Sequence, residues 1–138
     1  MYGRWEICAR STIGSAAWTP MALLWPDAED WPDGGEVDFM EISYPLRDRV
    51  DYNLHWGNAT NLERHTIAVN ATRWHSWAVE WTPRHVAVFL DGVEWARTTD
   101  TRRLPPRSMH LALQLDNYGG FLLPLGAMYV DRVAEYGL

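Results

Sequence analysis

The chain is built from short segments whose polarity alternates from one residue to the next, separated by clusters of Gly and Pro. A two-residue period belongs to a strand with one buried and one wet face, and almost no segment carries the 3.6-residue period of a helix. Segment 50–56 sets Val50, Tyr52, Leu54 and Trp56 on one face and Asp51, Asn53 and His55 on the other. Segment 85–90 runs into Asp91-Gly92 and then Val93-Glu94-Trp95, a two-residue hairpin signal. Segment 109–115 turns Met109, Leu111, Leu113 and Leu115 inward and leaves His110, Ala112 and Gln114 opposite. A last strand is expected over 127–136. Turns at this density predict an all-β sandwich. No boundary interrupts the pattern, so residues 1–138 read as a single domain, short for a sandwich of roughly 200–250 residues.

The charge balance narrows the partners. Twelve Lys and Arg against eighteen Asp and Glu give a net charge of −6, which argues against a nucleic-acid partner. No apolar run approaches the ~20 residues that cross a bilayer. The single cysteine, Cys8, rules out an internal disulfide and reads as a buried small apolar group. Nine Trp and six Tyr stand out. Indole faces stack on the flat C–H faces of sugars as well as on core neighbours. Strand-like sequence begins directly after Met1, with no signal peptide before it. Asn58-Ala59-Thr60 and Asn70-Ala71-Thr72 match the glycosylation sequon, which matters only in a eukaryotic secretory context.

The segment Gly35-Glu36-Val37-Asp38-Phe39-Met40-Glu41-Ile42 is apolar enough for a strand yet carries three carboxylates. Glu36 and Asp38 share one parity, and Val37 and Phe39 the other. Beyond residue 39 the parity switches, and a regular strand would drive Glu41 into the core. One extra residue near Phe39-Met40, a β-bulge, puts all three acids on one face and the apolar residues on the other. Glu36 and Glu41 then behave as residues four apart, ~13 Å between Cα atoms. Side chains leaning together leave a gap near the ~5–5.5 Å of a retaining glycosidase. Asp38 between them can hold the shared proton. A cation site and a solvated acidic edge are the two other readings of the same cluster.

The stretch from Trp31-Pro32-Asp33-Gly34-Gly35 through Glu36, Asp38 and Glu41 resembles the active-site signature of glycoside hydrolase family 16, in its laminarinase-like branch. Tyr2-Gly3-Arg4-Trp5-Glu6, the segment 74–83, the hairpin 86–92 and Tyr129-Val130-Asp131-Arg132-Val133 resemble further strands of that family. The resemblance implies a β-jelly-roll of two antiparallel sheets, concanavalin-like, with the opening strands before Tyr2 absent. It implies a retaining endo-β-glucanase for β-1,3 or mixed β-1,3-1,4 glucans, with Glu36 as nucleophile, Asp38 assisting and Glu41 as acid/base. Trp31 becomes a stacking platform, with Trp18, Trp25, His55 and Gln114 as further substrate contacts. No cofactor is required, although Asp131 corresponds to a residue through which some members hold a structural calcium. The partner is a polysaccharide or oligosaccharide, with neither nucleic acid nor membrane, and the protein is expected to be a monomer. The location implied is extracellular. A transglycosylase, a non-catalytic glucan-binding protein and an inactive fragment are the alternatives.

Overall fold

The computed structural model describes residues 1–119 and 124–137. Ten strands form among the described residues: β1 (Gly3–Ser11), β2 (Trp18–Pro26), β3 (Glu36–Glu41), β4 (Arg49–His55), β5 (Leu62–Ala68), β6 (His75–Trp81), β7 (Val86–Leu90), β8 (Val93–Thr98), β9 (Met109–Asn117) and β10 (Met128–Tyr136). They pair into two antiparallel five-stranded sheets, in the orders β10-β1-β6-β7-β8 and β5-β4-β3-β2-β9. No helix occurs among the described residues. The expected hairpin is present: β7 and β8 are joined by Asp91 and Gly92, both at positive φ (50° and 82°), as a type I′ turn needs.

The sheets bury their facing surfaces against each other. Trp5, Ile7 and Ala9 of β1 and Trp77, Val79 and Trp81 of β6 meet Ala22, Leu24, Val37, Phe39, Tyr52 and Leu54 of the other sheet. Cys8 has the opposite parity to Ile7 and Ala9, so it is half-buried on the outer face of β1 rather than in the core. His75, expected in the core with Trp77 and Trp81, is also only half-buried, and its Nδ1 donates to Asp91 Oδ2 at 2.7 Å.

The two sides of the sandwich differ. At the β5/β8 side the Tyr52 hydroxyl meets Thr98 Oγ1 at 3.0 Å, Thr98 donates to Glu63 at 2.7 Å, and Arg103 donates to Glu63 at 2.8 Å. At the other side β9 and β10, like β5 and β8, are the outermost strands of their sheets among the described residues. Leu113 and Leu115 share the core-facing parity of Ala22 and Leu24, and Val130 and Val133 pair with core residues Ala9 and Ile7, yet all four are exposed.

The β2 and β3 ends are tied by Arg47, a fully buried guanidinium. It donates to the carbonyls of Thr12 (3.1 Å), Ile42 (2.6 Å), Tyr44 (3.3 Å), Ser15 (3.4 Å) and Trp18 (2.8 Å).

Candidate active site

The acidic strand β3 is the middle strand of its sheet. Against β4 its register runs Glu36↔His55, Val37↔Leu54, Asp38↔Asn53, then Glu41↔Asp51. Phe39 and Met40 therefore stand together opposite Tyr52 alone, which is the β-bulge read from the parity switch. The pairing with β2 shows the same extra residue, Met40↔Ala22 being followed by Asp38↔Leu23. Val37, Phe39, Met40 and Ile42 all enter the core, while Glu36, Asp38 and Glu41 keep to the outer face. Gly35 precedes them at φ 77°, and a Cβ there would stand 3.0 Å from the His55 carbonyl. A side chain would push β3 away from β4 at the first acid.

Asp38 departs from what parity suggests. It lies on the outer face, yet it is 2% exposed rather than open to solvent. Burial is the main force holding its pKa well above the usual carboxylate range; the charges of Glu36 and Glu41 and a hydrogen bond with Glu36 push the same way. Its Oδ1 has no hydrogen-bond partner. Glu41 is also raised, again mainly by burial, with Arg64 opposing and Asp51 assisting. Its Oε2 accepts from Asn53 Nδ2, and Asn53 Oδ1 accepts from Arg64 Nε at 2.7 Å. Arg64 Nε lies 4.0 Å from Asp51 Oδ2, and Asp51 Oδ1 accepts from Thr66 at 2.6 Å. A relay across β4 and β5 thus supports the third acid. Chemically, three carboxyls share one face, and burial raises the pKa of two of them.

Four of the expected substrate contacts gather on this face. His55 pairs with Glu36 across the strands and its Nε2 lies 3.8 Å from Asp38 Oδ2. Trp31, 37% exposed, meets the His55 ring edge-on at 6.4 Å between centroids. Gln114 pairs with Met21, which pairs with Glu41, so the amide stands in the same row two strands away. Trp25 has the parity of Leu23, the partner of Asp38, and its indole donates to Glu29 at 2.8 Å. Trp18 is not brought to the acids: it has the core-facing parity of Ala22 and Leu24, and Gly126 packs against its Cβ. Asp131 lies in β10, a strand of the other sheet.

Three residues join the site without a signal that sequence reasoning used. Asn53 shows the right parity in the sequence, but nothing there singles it out as the partner of Glu41. Arg64 sits on β5, an edge strand whose residues are mostly exposed on both faces, so no clean alternation marks it. Tyr118 follows β9, and its hydroxyl donates to Met21 Sδ at 3.6 Å. Its pKa is raised by burial first, then by the charges of Asp116, Glu41 and Asp38. A loop residue has no parity to read. Gly119 is described, while Gly120 of the same stretch lies outside the described residues.

Comparison with known proteins bears on the family and the fold. The model of the family "Glycosyl hydrolases family 16" matches residues 1–120. A beta-glucanase from Rhodothermus marinus is 30% identical over 118 residues, covering 78% of this chain and 41% of that protein. The crystal structure of the laminarinase from Rhodothermus marinus superposes with a TM-score of 0.84 at 27% identity, over 99% of this chain and 65% of that one. A Bacteroides ovatus family 16 enzyme, bound to a mixed-linkage glucan product, shares the fold with a TM-score of 0.75 at 19% identity, over 97% of this chain and 69% of that one. This chain therefore spans less than half the length of the curated beta-glucanase.

Proposed function

This chain belongs to the glycosyl hydrolases of family 16, and we propose that residues 1–138 are part of the catalytic domain of a retaining endo-β-glucanase acting on β-1,3 or mixed β-1,3-1,4 glucans. One observation supports the reading most: the bulge at Phe39-Met40 sets three carboxyls of unlike environment on one face of a central strand. In the first step a Glu36 oxygen bonds to the anomeric carbon as the glycosidic C–O bond breaks, and Glu41 gives its proton to the leaving oxygen. In the second, Glu41 takes a proton from water, the water oxygen bonds to the anomeric carbon, and Glu36 leaves as a carboxylate. The raised pKa of Glu41 keeps a proton available for the first step. Asp38, protonated because it is buried, donates to Glu36 through their shared hydrogen bond. It stabilises the carboxylate each time Glu36 departs.

The aromatic and amide groups around the acids suit a sugar chain. Trp31 offers an exposed indole for stacking, and Trp25, His55 and Gln114 offer further contacts on the same face. A polymeric glucan is met outside the cell, which places the working enzyme there. The test is replacement of Glu36 by Ala in the protein carrying this chain. Turnover of laminarin and mixed-linkage glucan should vanish, and added azide should restore bond cleavage with a glycosyl azide of inverted configuration. Wild-type turnover by Glu36→Ala would refute the assignment. Products formed only when an acceptor sugar is added would make the enzyme a transglycosylase.

A further inference from the structure

The same face carries a second binding chemistry. Glu36, Asp38 and His55 each offer one ligand atom, and these atoms lie within 4.8 Å of one another. Zn²⁺ takes imidazole nitrogen and carboxylate oxygen at about 2.0–2.2 Å, so two tetrahedral ligands stand about 3.4 Å apart. The Asp38 Oδ2 to His55 Nε2 separation of 3.8 Å is already close to that. Glu36 needs only a side-chain rotation to complete a three-ligand set. A second feature points to a ligand: Asp38, 2% exposed, has an Oδ1 without any partner. Buried polar atoms without partners are costly, and a cation that displaces the Asp38 proton would offset the cost.

We propose that Glu36, Asp38 and His55 bind a divalent transition-metal ion, with Zn²⁺ as the best-matched probe. The mixed nitrogen and oxygen donors favour this class over Ca²⁺, which takes six to eight oxygens. A fourth coordination position opens toward the outer face, where water completes the shell. The second nitrogen of His55 lacks the acceptor that metal-bound imidazoles ordinarily have, which weakens the site by roughly 10–100-fold. If the site is also the glucan site, as proposed above, metal and sugar exclude each other, and the enzyme is inhibited by Zn²⁺ and restored by a chelator.

Calorimetry on the full chain, stripped of metal, tests this directly and without any activity readout. One Zn²⁺ per chain should bind, and Ca²⁺ at the same concentration should not. His55→Ala and Glu36→Gln should each weaken binding at least tenfold. His110→Ala, which removes the exposed His110–Asp27 pair, should leave it unchanged. Melting curves for each variant establish that the fold is intact. No binding at millimolar Zn²⁺, equal binding by His55→Ala, or loss of binding in His110→Ala would each overturn the site. A β-1,3-glucan tetrasaccharide forms the second arm. If it weakens Zn²⁺ binding, metal and sugar share the face. If it binds without effect on a confirmed metal site, the metal site stands and the glucan reading of this face fails.

Discussion

The two faces of β3 and the residue after it are made from one seven-residue stretch, Glu36 to Ile42, and do opposite things. On one, Val37, Phe39, Met40 and Ile42 are fully buried and hold the sheets together. On the other, Glu36, Asp38 and Glu41 crowd three acids into a partly dry surface, where burial and mutual repulsion raise the pKa of Asp38 and Glu41. The inner face supplies stability and the outer face consumes some of it. The bulge is what keeps them apart, since one extra residue lets an even-spaced core pattern coexist with an odd-spaced acid.

Overfilling the bulge should break the comparison most completely. Insertion of one Ala between Met40 and Glu41 adds a residue that the bulge does not absorb and turns Glu41 toward the core, a buried charge without a partner. Both the melting transition and any glucanase activity should be lost, as read by circular dichroism and a reducing-sugar assay. Next comes the inner face alone. Phe39→Ala should lower stability by about 3–5 kcal/mol in urea unfolding. A smaller effect of opposite sign is expected outside. The folded-state pKa of Asp38 is raised, so the folded chain holds a proton that the unfolded chain releases once pH passes the ordinary carboxylate value of about 3.9. The stability contribution of this group is therefore greatest in acid and declines as pH climbs to the raised value. In metal-free buffer, Asp38→Asn should flatten that decline and raise the melting temperature at neutral pH, while glucan turnover falls sharply. Equal pH slopes for the two proteins would show that the outer face carries no such strain. The smallest change is Gln114→Ala. It should raise KM by roughly two- to tenfold, the scale of one neutral hydrogen bond of about 0.5–1.5 kcal/mol, with no shift in melting temperature.

What could be read in the sequence follows the same division. Period-two segments gave away β4, β9 and the β7–β8 hairpin, because each has one buried and one wet face. The bulge was legible too, since only an inserted residue reconciles Glu41 and Ile42 with Glu36 and Val37. The burial of Asp38 was not: parity tells which face a residue takes, but not how deeply its neighbours cover it. Arg64 was hidden on an edge strand exposed on both faces, and Tyr118 in a loop. Trp18 misled because a Trp near a strand end looks equally fit for stacking and for packing, and its inward parity is fixed only by the register with β9.

Arg47 has a consequence for how this sequence can drift. Its five carbonyl acceptors come from Thr12, Ser15, Trp18, Ile42 and Tyr44, and none is a side chain. The carbonyls are present whatever residue occupies those positions, so they are free to vary while Arg47 is not. Lys would bring three donors on a compact head in place of a five-donor fork, stranding acceptors in a dry interior. One of those acceptors is Ile42 O, one residue past Glu41, and Ile42 N is held by Pro20 O at 3.0 Å. The strand is thus pinned just after its extra residue, and the bulge cannot slide along it. A mutation at position 47, six residues beyond Glu41, would act as a frameshift in space: the same residues would be read onto the wrong faces.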